Sequence, residues 1–316
     1  MDAVCADCAM IDFSKIYGSL TEIPNKPGIR VAELGFRLEK GQDAECYLCR
    51  FFHSVSLQID GRIEYHLLAL SAFRHDHTFI YSSMPPSFRT KDNMFLVVIP
   101  DRLPDNAHWN MLESHYRDKG FICSTQPTGL SSEERIWARV VPPTINYDTI
   151  REWHSFCQNN HSQCMAQDPG TSRHLRLIDC NTLSLITSTD NAKYFALSYV
   201  WGSDRNLRTG QAVNNARRMQ SWSPVLPDDL PRTIRDAIVV TRNLGIQYLW
   251  VDKYCINQQD PIEKQQQMEA MGDIYAGEVM TLVAAFGEND DAGLPGVDEV
   301  LRTAQPSAKV GNMTLV

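Results

Sequence analysis

The fold of this chain is decided by two stretches, Tyr194-Phe-Ala-Leu-Ser-Tyr-Val-Trp-Gly202 and Tyr248-Leu-Trp-Val-Asp-Lys-Tyr-Cys-Ile-Asn-Gln258. Each begins with the apolar and aromatic residues of a buried strand, and then changes to polar and aromatic residues where the strand should end. In open α/β sheets, ligands bind outside the carboxyl ends of the strands. Two such strand ends, placed side by side, would form a binding or catalytic site.

Helical patterns alternate with strand patterns around these stretches. A helix is predicted from Pro231, which suits a first helical turn, to Gly245, which suits a helix end. In Asp260-Pro-Ile-Glu263, the aspartate is a predicted N-cap and the glutamate a capping-box acid. A third strand is predicted at residues 281–285. The alternation of apolar strands with helices predicts a parallel sheet with helices on its faces, and right-handed crossovers would align the three strand ends along one edge.

The first half of the chain has a different pattern. Residues 1–140 predict a β-rich α+β module, because several runs are rich in β-branched and aromatic residues. These runs are residues 63–70, 78–81, 94–99 and 135–141. Residues 141–190 predict a linker with a helix capped by Asp148 and a hairpin of residues 175–179 and 183–186. The expected domains are therefore 1–140, 141–190 and 191–316.

Composition and charge narrow the function classes. The chain has 316 residues and a formal net charge of -8, which argues against a general nucleic-acid binder. No apolar run is long enough for a membrane span, and the N-terminus lacks the pattern of a signal peptide. We therefore expect a cytoplasmic protein with neither nucleic acid nor a membrane span among its partners. In that reducing compartment, its nine cysteines are expected to be thiols or metal ligands.

Five sequence elements occur in a recognisable order within residues 194–297. They are Ala196-Leu-Ser-Tyr-Val-Trp-Gly202, Leu230-Pro-Arg-Thr-Ile-Arg-Asp-Ala-Ile238, Leu249-Trp-Val-Asp252 with Cys255-Ile-Asn-Gln258, Ile274-Tyr275, and Ala292-Gly-Leu-Pro-Gly296. In this order and spacing they resemble the fungal HET domain, which is named for heterokaryon incompatibility. HET proteins usually continue well beyond this domain. The end of the chain at Val316, inside an apolar run, therefore leaves a fragment or truncated product as an open alternative.

The resemblance implies a role in fungal non-self recognition and in a cell-death response. It also implies a TIR/flavodoxin-like parallel sheet, since the HET fold is thought to be related to the TIR domain. Some TIR domains cleave NAD, so NAD is a candidate substrate. The chain departs from TIR enzymes after the third strand, where it offers only Glu288 in a Gly-rich loop and no Trp-Cys pair. The alternative is a non-catalytic module that acts through protein partners or self-association.

The candidate residues for NAD cleavage lie at the predicted strand ends. Such a reaction needs a carboxylate beside a developing oxocarbenium ion and an aromatic surface for the base. Asp252 and Glu263 are the catalytic candidates. The candidates for holding NAD are Tyr199, Trp201, Gly202, Asp204, Trp250 and Cys255. Structural roles compete with each assignment: a strand-end cap for Asp252, a capping box for Glu263, core packing for the tryptophans and a structural thiol for Cys255.

Two Cys-x-x-Cys pairs near the N-terminus, Cys5 with Cys8 and Cys46 with Cys49, are separated by thirty-seven residues. Each pair can place two thiolates on one metal ion, and together they can complete a tetrahedral zinc site. Four sulfur ligands would leave no open position for water, so such a zinc would be structural. The alternative is four separate thiols. His53 is a candidate substitute ligand.

Overall fold

The computed structural model describes residues 3–19, 29–56, 62–71, 94–101, 121–125, 138–161, 175–188, 192–202 and 224–316. The chain divides into two compact units, Met1–Val141 with Ala304–Val316, and Pro142–Thr303. The strand predicted at residues 78–81, most of the run at 135–141, and Asp204 lie outside the described residues. Within the described part of the chain, none of the helices has the length and apolar composition that a membrane crossing requires.

The helices and strands follow one another in a fixed order along the two units. The first unit begins with α1 (Ala6–Ala9), α2 (Phe13–Ser19), β1 (Ile29–Gly35), a 3-10 helix (Arg37–Asp43), α3 (Tyr47–Val55), β2 (Tyr65–Ser71) and β3 (Met94–Pro100). The second unit contains α4 (Tyr147–Asn160), β4 (Arg176–Asp179), β5 (Ser184–Thr187), β6 (Tyr194–Ser198), α5 (Arg232–Asn243), β7 (Tyr248–Trp250), α6 (Asp252–Cys255), α7 (Pro261–Glu269), α8 (Met271–Ala276) and β8 (Met280–Val283). The first unit is completed by β9 (Ala308–Val310) and β10 (Met313–Leu315).

The first unit is built on an antiparallel sheet with the order β1-β2-β3. The strands predicted at residues 63–70 and 94–99 are confirmed as β2 and β3. Alternate residues of these strands, such as Leu67 and Leu96, are fully buried in the same core as Phe52 of α3. The hairpin of β9 and β10 adds Leu315 to this core. The unit is therefore a mixed α and β structure.

The second unit contains a five-stranded mixed sheet with the order β5-β4-β7-β6-β8. Strand β6 lies between β7 and β8 and is parallel to both. The predicted parallel arrangement is confirmed for these three strands, but the whole sheet is not parallel. The predicted hairpin of β4 and β5 extends it, because β4 pairs antiparallel with β7 through Ile178 and Leu249. Both residues are fully buried, so this pairing closes one side of the core.

The helix ends follow from local capping. Helix α5 starts directly after Pro231, and the chain leaves it through Gly245 at φ +83°, a conformation that glycine adopts without strain. The N-cap of α4 is Asn146, which accepts a hydrogen bond from the Thr149 amide at 3.1 Å. The prediction that Asp148 caps this helix was therefore wrong. Asp148 lies in the first turn, where its charge favours the helix dipole.

Candidate functional site at the strand ends

A hydrogen bond joins the ends of β6 and β7. The indole Nε1 of Trp201, three residues beyond β6, donates to Oδ2 of Asp252 at 2.9 Å. Asp252, two residues beyond β7, opens α6, and the Lys253 amide donates to its Oδ1 at 2.7 Å. The expectation that these strand ends lie side by side is confirmed, because β6 and β7 are parallel neighbours.

The Asp252 carboxyl group is partly removed from water. Burial raises its pKa above the ordinary value of 3.8, although hydrogen bonds from Trp201 and the Lys253 amide act in the opposite direction. The buried hydroxyl group of Tyr199 lies close enough to interact with this carboxylate, and it has no partner of good hydrogen-bond geometry among the described residues. Burial, followed by the nearby negative charges of Asp252 and Asp290, raises the Tyr199 pKa. The tyrosine therefore stays protonated and can donate.

Lys253 and Asp290 form an ion pair at this edge of the sheet, and the sequence prediction missed both. The Lys253 Nζ lies 2.8 Å from Asp290 Oδ2, and their side chains are 26% and 12% exposed. A Cβ atom placed on Gly202 would overlap Asp290 Oδ1 and lie 3.3 Å from its Cγ. Gly202 therefore lets the loop after β6 approach the Asp290 side chain. The sequence signal for Asp290 is the Asp-rich and Asn-rich loop after β8, in which the sequence prediction names only Glu288, an exposed residue.

The loop after Asp290 is fixed to the start of α5. The Thr233 amide donates to the Asp290 carbonyl at 3.0 Å, and the Gly293 amide donates to the Thr233 hydroxyl at 3.1 Å. Asp236 accepts from the Leu294 amide at 2.7 Å. Gly293 has φ +78°, and a Cβ atom there would lie 2.7 Å from Asp236 Oδ2. These contacts explain why two elements of the sequence pattern, residues 230–238 and 292–296, occur together.

Two predicted ligand-binding residues lie in the core. Trp250 is 1% exposed and packs edge to face against Tyr275, with ring centroids 5.5 Å apart. Cys255 is 2% exposed, and its Sγ accepts a hydrogen bond from the Val251 amide at 3.3 Å. Burial raises the Cys255 pKa to about 12, so the thiol is protonated at neutral pH. Neither side chain presents a surface to a ligand in this structure, since both contribute to packing beneath the site.

Glu263 lies in a different environment from Asp252. Its carboxylate binds the Arg176 guanidinium group and accepts a hydrogen bond from Asn257 Nδ2 at 3.2 Å. Asp260 caps α7 as predicted, with Oδ1 accepting from the Ile262 and Glu263 amides, but the Glu263 side chain is committed to Arg176. A cavity of about 370 Å³ opens beside this ion pair. It is lined by Arg176, Leu185, Ile186, Thr187, Pro224 and Asn257.

The four cysteines of the N-terminal pairs come together in the first unit. The sulfur atoms of Cys5, Cys8, Cys46 and Cys49 all lie within 4.8 Å of one another, and the group could hold a metal ion. The Cys8 to Cys49 distance is 3.6 Å and the Cys5 to Cys49 distance is 3.9 Å. His53 is not part of this group, because its imidazole ring lies against Gly41.

The geometry defines an α/β protein with a polar and aromatic site at the ends of two parallel strands. Residues 194–315 match the family model described as "Heterokaryon incompatibility protein (HET)". The protein "Heterokaryon incompatibility protein 6, OR allele" of Neurospora crassa is 29% identical over 178 residues, which cover 52% of this chain and 24% of that relative. The chain therefore matches less than two thirds of the relative's length. No solved structure matches the chain. Residues 194–315 are thus similar to the HET domain, and the strand-end site lies inside this matched region.

Proposed function

We propose that this protein acts in fungal heterokaryon incompatibility, as a non-self recognition component that signals growth arrest or cell death. The support is the HET family match over residues 194–315 and the similarity to a relative that is itself named as a heterokaryon incompatibility protein. The hydrogen bonds around Asp290, Thr233 and Asp236 lie within these matched residues. We further propose that residues 191–316 act as one functional domain, and that the protein acts in the cytoplasm.

The chemistry that we propose for the strand-end site is cleavage of NAD at the bond between ribose and nicotinamide. The observation that carries this proposal is the 2.9 Å hydrogen bond from Trp201 to Asp252. It places a half-buried carboxylate beside an indole ring that is 46% exposed. A carboxylate can stabilise an oxocarbenium-like centre, and an exposed indole offers a flat surface on which a planar base can stack.

The reaction balances with water as the co-substrate. The bond between C1 of the ribose and the nicotinamide nitrogen breaks, and its electron pair goes to the nitrogen, which neutralises the pyridinium charge. Water then attacks C1, and Asp252 accepts the proton of that water, giving nicotinamide, ADP-ribose and a released proton. Tyr199 and the Lys253 amide face the Asp252 carboxylate and would orient it.

The strand order supports a TIR/flavodoxin-like interpretation of the sheet. Among the three parallel strands, the first in sequence, β6, lies between the second, β7, and the third, β8. In flavodoxin-like sheets the first strand also lies between the second and third, and the ligand binds at the point where the strand order reverses. In this sheet the order reverses between β6 and β8. Trp201 follows β6 at that point, and its hydrogen bond joins it to Asp252 at the end of the neighbouring strand β7.

Glu263 is the second catalytic candidate in this proposal. Its carboxylate is paired with Arg176, and the pair borders the cavity between β4, β5 and Asn257, whereas the Asp252 carboxylate lies beside the exposed indole of Trp201. We therefore assign the proton transfer to Asp252. Replacement of Glu263 by glutamine distinguishes a catalytic role of this residue from a structural one, because glutamine removes the charge but keeps the side-chain length and an oxygen acceptor.

The test is nicotinamide release from NAD by the purified full chain, measured at high protein concentration and after induced assembly. We expect turnover by the wild type, none above background by Asp252→Asn, and retained turnover by Glu263→Gln. Equal turnover by the wild type and folded Asp252→Asn would remove the site assignment. Expression of both forms in fungal hyphae tests the biological role, and only the wild type should reduce colony growth.

The alternative function is a non-catalytic module that self-associates or recruits protein partners. The observation that favours it is a set of exposed apolar side chains following β6 and β8: Val200 at 58%, Trp201 at 46% and Phe286 at 54% exposure. Absence of nicotinamide release, together with growth arrest in hyphae that Val200→Asp abolishes, would favour this function over NAD cleavage.

A further inference from the structure

We propose that Cys5, Cys8, Cys46 and Cys49 form a structural zinc site in the first unit of the chain. The proposal does not depend on the function of the HET domain. Three of the four cysteines are buried, and all four sulfur atoms lie within 4.8 Å of one another.

The sulfur spacing fits one tetrahedral ion. A Zn–S bond of about 2.3 Å in a regular tetrahedron places the sulfur atoms about 3.8 Å apart. The Cys8 to Cys49 and Cys5 to Cys49 distances of 3.6 and 3.9 Å lie on either side of that value. Both distances join one Cys-x-x-Cys pair to the other. The two pairs therefore converge on a common centre, as the ligands of a single ion must.

The backbone presents the two pairs in the same way. Cys5 directly precedes α1 and Cys46 directly precedes α3, and each accepts a first-turn hydrogen bond through its carbonyl oxygen, from Ala9 and Arg50 respectively. The second cysteine of each pair follows in the first turn of its helix. Neither Cys5 nor Cys46 uses its side chain to cap the helix, so both sulfur atoms are available to a metal.

Among the described residues, Arg37 places a cation next to the cluster. The Arg37 Nη1 approaches Cys8 Sγ at 3.9 Å and Asp7 Oδ2 at 3.7 Å, while its Nε donates to the Leu34 carbonyl at 2.7 Å. Four thiolates around one divalent zinc carry a net charge of −2. A guanidinium N–H directed at a ligand sulfur offsets part of that charge, which is the usual role of groups around metal ligands.

The site would connect the start of the chain to α3. The Tyr47 amide donates to the Ala3 carbonyl at 3.1 Å, and residues 3 and 46 form an isolated parallel bridge. Apart from Cys8, the described residues 3–10 place no side chain in the buried core. So short a segment buries too little apolar surface to hold itself in place. Metal ligation explains how it is fixed.

Other assignments of the four cysteines fit the geometry less well. A disulfide holds its sulfur atoms about 2.05 Å apart, well below the separations here, and all four cysteines are free thiols in this structure. An iron–sulfur cluster places inorganic atoms between its cysteines and so separates them further. A closed site with four sulfur ligands and no water position is typical of structural zinc.

The experiment is metal analysis of the full chain, purified under reducing conditions. We expect about one equivalent of zinc in the wild type, because four ligands complete one ion. Cys8→Ser and Cys49→Ser should lose it. Cys123→Ala, which removes a thiol of the same unit outside the cluster, should retain it. Fewer than about half an equivalent in the wild type, or iron in place of zinc, overturns the proposal.

Two further measurements on the wild type do not depend on the folding of any variant. Exchange of the metal for Co²⁺ should give the visible and near-ultraviolet absorption of tetrahedral cobalt with sulfur ligands, and an octahedral spectrum contradicts the proposal. Thiol titration after denaturation with a chelator and without reductant should find all nine cysteines of the chain reactive. A deficit of four thiols means two disulfides in place of a metal.

Discussion

Replacement of Gly202 by alanine should selectively destabilise the strand-end site. The new Cβ would overlap Asp290 Oδ1, and φ at Gly202 is not positive, so the cost comes from this contact and not from the backbone. Relief requires the Asp290 carboxylate to rotate away from Lys253, which breaks a partly buried ion pair of 2.8 Å. Overpacking costs about 1–3 kcal/mol and a charged hydrogen bond contributes about 1.5–3 kcal/mol. The overlap is either kept or relieved by breaking the ion pair, so these costs are alternatives, and we expect a loss of about 1–3 kcal/mol in the free energy of unfolding.

Urea denaturation of the full chain measures this loss, with Gly272→Ala as the matched control. Gly272 lies in α8, and a Cβ atom there meets nothing within 4 Å, so alanine should stabilise the chain by about 0.5–1 kcal/mol. In an Asp290→Ala background, the overlap is gone and the Gly202→Ala penalty should fall below about 1 kcal/mol. A penalty that is equal in both backgrounds, or a Gly202→Ala variant as stable as the control, would show that the contact with Asp290 does not limit this position.

Four further outcomes follow from the same structure. Asp252→Asn should lower nicotinamide release by about 10²-fold or more if its carboxylate takes the proton, whereas a loss below about tenfold would argue for a positioning role. Burial raises the Asp252 pKa above 3.8, so the folded state binds this proton more tightly. The free energy of unfolding of the wild type, relative to that of Asp252→Asn, should therefore fall as pH rises from 3.8 through the raised pKa. A difference between the two proteins that does not change with pH would contradict this. Trp201→Phe keeps an aromatic ring but removes the donor to Asp252, so the Asp252 pKa should rise further and the midpoint of the pH–rate profile should move to higher pH. Bound zinc should raise the free energy of unfolding by about 3 kcal/mol when free zinc is a few hundred times its dissociation constant, and a chelator should remove this stabilisation. Urea curves that are the same with and without chelator would contradict the cysteine site.

The parts of the fold that the sequence predicts correctly depend on local signals. Apolar runs predict β6, β7 and β8, and Asp260 and Gly245 mark the ends of helices, because capping and backbone conformation involve neighbouring residues. The antiparallel extension of the sheet was not predicted. It depends on the pairing of Ile178 with Leu249, which are far apart in sequence and carry no local signal for each other.

The residues of the candidate site also fall into those that the sequence predicts and those that it does not. Trp201 and Asp252 could be predicted because each follows a strand, and parallel strands place their carboxyl ends along one edge. Asp290 could not, because its position depends on a loop that returns to Lys253 and Gly202. Glu263 has the spacing of a capping-box acid, but Arg176, eighty-seven residues away, provides a stronger charged partner.

The burial of Trp250 and Cys255 shows a further limit of sequence reasoning. Both belong to the same short stretch as Asp252, and composition alone does not distinguish the residues of a strand end that face a ligand from those that face the core. In the structure, the chain turns into α6 at Asp252, which leaves its carboxylate at the edge and returns Cys255 to the interior. The four cysteines were easier to group, because paired Cys-x-x-Cys spacing is itself the signal for a shared metal.

The proposal with the most direct chemical consequence is that the Asp252 carboxylate, at the end of β7, takes part in NAD cleavage. Chromatographic quantification of nicotinamide and ADP-ribose, formed from NAD by equal amounts of wild type, Asp252→Asn and the Gly272→Ala control, tests it most directly. The account predicts equimolar products from the wild type and the control, and none above background from Asp252→Asn. Equal product from all three proteins, or no product from any of them at high concentration and after assembly, would contradict it.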